Sequence, residues 1–341
     1  MSGGRPPYHD GMTREPLVDR FGRVHTDLRV SLTDRCTLRC TYCMPEDGVD
    51  WLARDLVLGD DEIVRLVGIA GELGVRSIRL TGGEPLLRQG LPDLVRRLAG
   101  IEPRLRISLT TNGLRLPELA APLAAAGLDR VNVSLDTLRA ETFRALTRRT
   151  GLDVVLAGMR AAVDAGLTPV KVNTVLTRGV NDGEILDLLH FCLGHGYELR
   201  FIESMPLDAQ HAWSRDAMVA AADIRAVIEA EHTLAPVDGR GSAPAETWLV
   251  DGGPAVVGII ASVTAPFCAA CDRLRLTADG QVRNCLFASE ESDLRLAMRA
   301  GATDDDLAQI WRDAVHGKKK GHGIGDPDFV APVRPMSAIG G

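Results

Sequence analysis

Hydrophobic and polar residues alternate along six segments in the first two thirds of the chain, and each of these segments predicts a β-strand. The predicted strands are 24–33, 75–81, 104–112, 129–136, 168–176 and 197–204. Between them, apolar residues recur every three or four positions in segments that commonly end at glycine, for example 60–74, 91–100 and 182–196. This spacing predicts helices. Six strand–helix repeats predict parallel strands joined by right-handed crossovers.

This order of elements predicts an α/β fold, namely an incomplete (βα)6 barrel of the TIM type that is open on one side. A doubly wound open sheet is the competing architecture. After about residue 210 the regular alternation stops, and short strands are predicted at 246–250, 256–260, 273–277 and 281–286, followed by a helix near 303–316. We therefore predict four regions: a flexible leader at 1–20, the barrel at 21–235, a small α+β extension at 236–325 and a tail at 326–341.

One face of the predicted strands is polar although helices are expected to cover both faces of such a sheet. The polar positions are Arg29, Ser31, Arg79, Thr81, Ser108, Thr110, Asn112, Asn132, Ser134, Asp136, Lys171 and Asn173. Satisfied hydrogen bonds at strand ends could account for single members. The whole set, with its three cations, instead predicts a hydrated cavity, because unpaired buried cations are costly. Such a cavity favours an anionic ligand, for example a phosphorylated small molecule.

The composition limits the classes of function. The chain has 341 residues, of which 45% are hydrophobic and 25% charged, as is typical of a globular protein. A net charge of −7 and an aromatic content of 4% argue against a nucleic-acid partner. We find no apolar run long enough for a membrane span and no export signal, so we expect a cytoplasmic protein. In that reducing compartment, clustered cysteines bind metal more often than they form disulfides.

Six of the seven cysteines form two trios, which are Cys36, Cys40 and Cys43, and Cys268, Cys271 and Cys285. Three thiolates bound to a cubane iron–sulfur cluster leave one iron free for another ligand. Zinc sites usually add a fourth cysteine or histidine, and the loop CTLRCTYC contains none. This loop follows the first predicted strand, where βα enzymes place their active sites. The two trios therefore predict two clusters with an open coordination position, facing one reaction chamber.

The first cysteine loop, with Tyr42 before its last cysteine, and the segment RLTGGEP at 79–85 together resemble the radical S-adenosylmethionine superfamily. Further segments narrow the resemblance to the GTP 3′,8-cyclase family, which performs the first step of molybdopterin synthesis. They are TTNG at 110–113, NVSLD at 132–136, KVNTV at 171–175, RFIESMP at 200–206, FCAACDRLRL at 267–276 and the terminal Gly340 and Gly341. The match extends from about residue 20 to the end. Asp272 departs from it, because the family commonly has asparagine there.

The resemblance implies two [4Fe-4S] clusters and S-adenosylmethionine as cofactors, each cysteine trio binding one cluster. It implies contacts to S-adenosylmethionine by Tyr42, Gly83, Glu84, Thr110, Ser134 and Met205. It implies contacts to GTP by Arg29, Arg79, Lys171, Arg273 and Arg275, while the free iron of the second cluster engages the guanine ring. Gly340 and Gly341 are implied to enter the active site and, with Arg273 and Arg275, to be needed for catalysis.

The implied reaction begins with a 5′-deoxyadenosyl radical that takes hydrogen from C3′ of GTP. The carbon radical then closes on C8 of guanine and, after a further electron and proton, gives (8S)-3′,8-cyclo-7,8-dihydroguanosine 5′-triphosphate. The implied partners are a reducing electron donor, a second copy of the chain in a homodimer, and cyclic pyranopterin monophosphate synthase, which receives the product.

Two other functions stay open on the residues alone: a radical S-adenosylmethionine enzyme that acts on a peptide, and an iron–sulfur redox sensor or electron carrier. A few conspicuous residues are interpreted as structural. We expect Cys192 to be a buried thiol, and His190 and His195 to serve helix capping or the surface. Lys318, Lys319 and Lys320 are expected to form a solvated tail.

Overall fold

The computed structural model describes residues 14–208, 210, 212–332 and 334–340, so most of the predicted leader and Gly341 lie outside the described residues. The strands are β1 (Asp27–Ser31), β2 (Ser77–Thr81), β3 (Arg106–Thr111), β4 (Arg130–Ser134), β5 (Lys171–Leu176), β6 (Glu198–Glu203), β7 (Leu234–Pro236), β8 (Glu246–Val250), β9 (Val256–Ile260), β10 (Arg273–Leu276), β11 (Gln281–Arg283) and β12 (Ser292–Asp293). The helices are α1 (Asp60–Glu72), α2 (Leu91–Ala99), α3 (Leu116–Ala125), α4 (Ala140–Thr147), α5 (Leu152–Asp164), α6 (Ile185–His195), α7 (Ala221–Glu229), α8 (Leu294–Arg299), α9 (Asp304–His316) and α10 (Met336–Ile339).

The twelve strands of the described residues belong to one mixed sheet, which confirms the predicted α/β class. Strands β1 to β6 lie side by side in chain order and are parallel throughout. A doubly wound sheet would reverse its strand order part-way, so the sequential order argues against that alternative. The six strands predicted before residue 210 are thereby confirmed as β1 to β6.

The strands after residue 210 extend this sheet at both sides. Strand β10 pairs in parallel with β1, and β9 pairs in parallel with β6. Antiparallel strands follow outward, β11 and β12 beyond β10, and β8 and β7 beyond β9. The two flanks of the first six strands are thus covered by strands from the last third of the chain. The division of the chain into domains at residues 20, 235 and 325 stays a prediction.

The core lies between the sheet and the helices, and it contains the apolar positions of each strand. Leu28, Val30, Ile78 and Leu80 of the first two strands are at most 1% exposed. The apolar stripe of α1 faces them, since Ile63, Leu66, Val67, Ile69 and Ala70 are also buried. Burying one such side chain stabilises the fold by about 1.5–3 kcal/mol. Because strand side chains alternate between faces, packing of the apolar set turns the polar set toward the other side of the sheet.

Candidate active site

The polar side of the sheet faces one cavity of about 300 Å³. Every one of the strands β1 to β6, and also β10, contributes a polar side chain to its wall. These residues are Arg29, Arg79, Thr110, Ser134, Asn173, Arg200, Arg273 and Arg275. All six cysteines of the two trios line the same cavity. The structure therefore brings the cysteines together with eight of the twelve polar strand positions predicted to line a cavity. The other four, Ser31, Ser108, Asn132 and Lys171, are not among the lining residues.

The first cysteine trio lies on the loop that follows β1. The loop is held against the end of α4, because the N–H groups of Arg39 and Thr41 donate to the carbonyls of Thr147 and Leu146, each at 2.9 Å. The Asn112 side chain lies 3.9 Å from the Cys36 sulfur, and the backbone of Ser337 hydrogen-bonds to Cys43. Burial raises the pKa of the Cys43 thiol to about 12. A thiolate here therefore needs a positive partner, such as an iron ion.

The second cysteine trio combines Cys268, the first residue of a short 3₁₀ helix, and Cys271, which directly follows that helix, with Cys285, just after β11. Lys318 approaches this trio, with its Nζ 3.7 Å from the Cys271 sulfur. Its ammonium also donates to the carbonyls of Arg273 and Asn284, both at 2.7 Å. Only 3% of Lys318 is exposed, so its prediction as part of a solvated tail was wrong; Lys319 and Lys320 are exposed. The three carbonyl and sulfur contacts explain why this one lysine is buried.

The donor chemistry and spacing of the trios fit iron–sulfur clusters better than zinc or disulfides. All six thiols are free. In tetrahedral zinc sites with Zn–S bonds near 2.3 Å, the sulfurs lie about 3.8 Å apart. Among the described residues, neither trio has its three sulfurs within 4.8 Å of one another; the one group of three possible ligands that close is His190, Glu231 and His232, outside this cavity. The thiols are thus spread around a space wider than a single zinc ion.

The Gly-Gly-Glu-Pro loop after β2 packs directly against the first cysteine loop. The N–H groups of Gly83 and Glu84 donate to the carbonyls of Thr33 and Arg35, both at 2.7 Å. A Cβ atom on Gly83 would lie 2.3 Å from the Arg35 carbonyl oxygen, well inside contact distance. Only glycine therefore allows the two loops this close approach.

The buried carboxylate of Glu84 holds the C-terminal end of β3 in place. Its carboxylate accepts hydrogen bonds from Leu86 N at 3.0 Å, Thr111 Oγ1 at 2.7 Å and Asn112 N at 2.7 Å, and only 2% of the residue is exposed. Burial raises its pKa to about 7, although these hydrogen bonds favour the ionised form. Because three of its lone-pair sites are used within the protein, Glu84 has at most one left for a ligand ammonium group.

We expect Glu84→Gln to lower the free energy of unfolding by about 1–3 kcal/mol, because the amide nitrogen cannot accept from a backbone N–H. The loss should depend on pH. The pKa of Glu84 is about 7 in the folded state and 4.5 in the unfolded state, so between these pH values only the folded wild type keeps its Glu84 proton. The wild type therefore loses stability as pH rises from about 4.5 to 7. The variant lacks that slope, so the difference between the two proteins should be larger at pH 5.5 than at pH 7.5.

Denaturant unfolding followed by circular dichroism at both pH values measures this difference. Glu118→Gln, on the exposed face of α3, is the matched control and should change stability at neither pH. An equal loss at both pH values would contradict the assignment of a raised pKa to Glu84.

Arginines from three neighbouring strands stand side by side in the cavity wall. The strand register places Arg29 between Arg275 and Arg79. Burial, then repulsion from Arg275, Arg273 and Arg79, holds the pKa of Arg29 well below its usual range, and burial lowers the pKa of Arg79 and Arg275 to about 10. Nε of Arg29, Nε of Arg79 and Nη2 of Arg273 are enclosed and have no hydrogen-bond partner among the described residues. Such a group of donors favours a polyanionic ligand.

Two cations deviate from the sequence-based expectation. Lys171 is not among the cavity-lining residues; it forms an ion pair with Glu198 on the adjacent strand and is 8% exposed. Arg200 of β6 lines the cavity and was missed. It could have been found by extending the rule of alternating polar positions to β6, where it pairs in register with Asn173.

The remaining predicted cofactor contacts all lie in the cavity wall: Tyr42, Gly83, Glu84, Thr110, Ser134 and Met205. Tyr42 is held by its hydroxyl, which donates to Asp136 Oδ2 at 2.7 Å. Burial raises the pKa of Asp136 to about 6. Cys192 is buried at 1% exposure, as predicted.

The C-terminal tail closes over the same cavity. The Arg334 guanidinium binds Asp279 at 2.7 Å, and Met336 N donates to the Leu207 carbonyl at 3.1 Å. Met336 and Ser337 line the cavity, and the carbonyl of Gly340 accepts a hydrogen bond from Arg275. The described part of the tail therefore reaches the arginine group, while Gly341 lies outside the described residues.

Comparisons with known proteins identify the chain's relatives. Residues 30–192 match the Radical SAM superfamily model, and residues 197–324 match the Molybdenum Cofactor Synthesis C model. A GTP 3′,8-cyclase of Streptomyces coelicolor strain A3(2) is 63% identical over 95% of this chain and 96% of its own length. A GTP 3′,8-cyclase of Mycobacterium sp. strain KMS is 58% identical over 96% of this chain and 95% of its own.

The fold is also similar to that of solved structures. The crystal structure of Streptococcus suis SuiB bound to S-adenosylmethionine superposes with a TM-score of 0.59 and 14% sequence identity. The match covers 85% of this chain and 67% of that chain. At this identity, the similarity concerns the fold alone.

Proposed function

The chain belongs to the GTP 3′,8-cyclase family within the radical S-adenosylmethionine superfamily, and from this membership we propose how its cavity binds cofactors and substrate. It is a radical S-adenosylmethionine enzyme that cyclises GTP in the first step of molybdenum cofactor biosynthesis. The proposed product is (8S)-3′,8-cyclo-7,8-dihydroguanosine 5′-triphosphate. The observation that carries the proposal is one cavity walled by both cysteine trios and by a group of arginines.

Membership in the superfamily implies a [4Fe-4S] cluster and S-adenosylmethionine. We propose that Cys36, Cys40 and Cys43 hold that cluster, because their loop packs against the Gly-Gly-Glu-Pro loop. We propose a second [4Fe-4S] cluster at Cys268, Cys271 and Cys285, supported by their free thiols and their place in the same wall. When bound, the first cluster and S-adenosylmethionine supply the 5′-deoxyadenosyl radical that takes hydrogen from C3′ of GTP.

We propose that the first six strands curve into a partial barrel. In sheet order, five strands lie between β10 and β6, so a flat sheet with neighbours about 4.8 Å apart would separate these two by about 29 Å. Yet Arg273 of β10 and Arg200 of β6 line one cavity, and the pKa of Arg200, lowered mainly by burial, is lowered further by repulsion from Arg273. Curvature of the sheet accounts for this proximity.

The chain's own residues bind, orient and shield the reactants. Arg29, Arg79, Arg273 and Arg275 would hold the triphosphate of GTP, because planar guanidinium groups suit bidentate contacts to phosphate. Tyr42, Gly83, Glu84, Thr110, Ser134 and Met205 would hold S-adenosylmethionine. Lys171 would reach GTP only after leaving Glu198. The tail, with Gly340 and Gly341, would complete the wall and exclude water from the radical.

We expect Lys318→Met to shift the reduction potential of the second cluster to more negative values. The ammonium beside Cys271 favours the reduced, more negative state of a cluster, and methionine keeps the chain length without the charge. The free energy of unfolding should also fall by about 1–3 kcal/mol, because the Arg273 and Asn284 carbonyls lose a donor. A redox titration followed by electron paramagnetic resonance measures the potential.

Lys319→Met is the matched control, since the neighbouring Lys319 is exposed. The Lys318→Met and Lys319→Met variants should therefore differ only in the reduction potential of the second cluster. Identical potentials in the Lys318 variant and wild type would show that the ammonium does not act on a cluster at Cys271.

Anaerobic reconstitution with iron and sulfide, followed by incubation with a reductant, GTP and S-adenosylmethionine, tests the proposed function. We expect 5′-deoxyadenosine and the cyclised nucleotide in equal amounts. Reconstituted enzyme that binds S-adenosylmethionine but forms neither product from GTP would overturn the proposal. A peptide-modifying enzyme would fail to bind GTP, and a redox carrier would leave S-adenosylmethionine uncleaved.

The surroundings of the reaction are also proposed from the family resemblance. We propose a reducing electron donor, transfer of the product to cyclic pyranopterin monophosphate synthase, and a homodimer in the cytoplasm. No helix in the described residues is long and apolar enough to cross a lipid bilayer. Size-exclusion chromatography with light scattering tests the dimer.

A further inference from the structure

Two histidines and a glutamate meet at the surface, away from the cavity. His190 lies on α6, and Glu231 and His232 lie in the turn after α7. The Nε2 atoms of the two imidazoles are 2.9 Å apart, and His190 Nε2 is 4.0 Å from Glu231 Oε2. We call these three residues the histidine cluster. The expectation that His190 serves only the cap or the surface of its helix leaves this contact unexplained.

An outer carboxylate orients one of the imidazoles. Asp251 Oδ2 accepts from Nδ1 of His232 at 2.7 Å, while its Oδ1 accepts from the N–H of Thr233 at 2.8 Å. The proton of the neutral His232 ring therefore resides on Nδ1, and the lone pair of Nε2 faces His190. A carboxylate that holds the far nitrogen of a histidine is the usual support of a metal-binding imidazole.

We propose that the histidine cluster binds a divalent transition-metal ion of the zinc class. Two imidazole nitrogens 2.9 Å apart can both lie about 2.0–2.1 Å from one ion, and a small rotation of the Glu231 side chain adds an oxygen. Imidazole with carboxylate suits zinc, nickel or copper, whereas magnesium and calcium prefer sites made of oxygen only. Roughly half of the His190 and Glu231 side chains is exposed, so the ion can enter from solvent.

The ion would link three elements at one end of the sheet. His190 is on the helix between β5 and β6, His232 precedes β7, and Asp251 directly follows β8. Strands β6, β9, β8 and β7 form this end of the sheet in that order. The site is thus structural in character: it connects α6 to the outermost antiparallel strands and is independent of the cysteine trios.

Zinc binding to the cluster-loaded enzyme tests the proposal. The protein is freed of any histidine tag, reconstituted with iron and sulfide so that the cysteines are occupied, and dialysed against zinc in excess magnesium. Zinc per chain is then measured by mass spectrometry. We expect one zinc in addition to the iron, lost in a His190→Ala, His232→Ala double variant and weakened about 10- to 100-fold in Asp251→Asn.

His195→Ala is the matched control, because His195 is an exposed histidine on the same helix that hydrogen-bonds through Nδ1 to the Phe191 carbonyl and packs against the Phe191 and Tyr197 rings. It should bind zinc as wild type does. Absence of zinc in wild type, or equal zinc in wild type and the double variant, would overturn the proposal and leave the imidazole pair as a hydrogen bond. Circular dichroism confirms that each variant is folded.

Discussion

Replacement of Arg29 by methionine is expected to weaken GTP binding by roughly thirtyfold to several thousandfold while it stabilises the ligand-free enzyme. Truncating one member of an enclosed charge contact costs about 2–5 kcal/mol of binding free energy. Without GTP, however, burial and repulsion from Arg275, Arg273 and Arg79 outweigh the attraction of Asp27, and the Arg29 Nε has no partner among the described residues. Methionine has a similar length and removes that repulsion, so the free energy of unfolding should rise by about 1 kcal/mol.

Isothermal titration with GTP and denaturant unfolding of the ligand-free protein measure the two effects. Arg97→Met is the matched control, because Arg97 is an exposed arginine on α2 paired with Asp61. It should change neither quantity appreciably. A variant at position 29 that keeps wild-type GTP affinity would contradict the assignment of this side chain to the triphosphate. One that is less stable than wild type without GTP would contradict the unfavourable repulsion at Arg29.

Deletion of Gly340 and Gly341 is expected to reduce GTP turnover by about a hundredfold or more, without loss of iron. The Gly340 carbonyl accepts from Arg275, which stands next to Arg29 in the cavity wall, so the deletion frees a guanidinium that must be held in place for the substrate. Gly340→Ala should cause a similar defect. A Cβ atom there would lie 2.2 Å from Ser31 Oγ, and the φ of +76° is itself unfavourable for alanine.

Product formation by chromatography and iron content by colorimetry separate the two outcomes. Val330→Ala serves as control, since this tail residue is 81% exposed and should tolerate the change. Full turnover by the truncated enzyme would exclude a role of the glycines in the reaction. Loss of iron in the truncated enzyme would point instead to Ser337 and the support that the tail gives to Cys43.

The sequence was informative about the strands because their two faces differ in chemistry. Alternation of residues such as Leu28, Arg29 and Val30 predicted both the strand and the side that faces the cavity. Strands β7 and β12 have only three and two residues, too few for any period to appear. The pairing of β10 with β1 and of β9 with β6 joins residues more than fifty positions apart, which a local pattern cannot reveal.

The cysteines and arginines of the site were predictable because clustered thiols in one loop, or cations on a covered face of a strand, are rare unless they bind a ligand. The environment of Lys318 was not, because burial of a lysine depends on the two carbonyls and the sulfur that surround it in space. Lys171 illustrates the opposite case: its strand position is right, but Glu198 on the next strand pairs with it. The local sequence predicts the backbone position of a side chain, whereas the residues around it in the folded protein determine its binding partner.

The chain cannot be divided after β6 without damage to both parts. A fragment that ends at Glu203 would present unpaired N–H and C=O groups along β1 and along β6, and bare parallel edges of this kind recruit other chains and aggregate. In a chimera that joins the last third of a relative to this protein, the foreign strands must therefore pair correctly with both β1 and β6. We expect hybrids to fold when β9 and β10 are exchanged together with β6 and β1, the strands with which they pair. A graft with a single crossover after β6, which keeps β1 and β6 of this protein, is expected to fail.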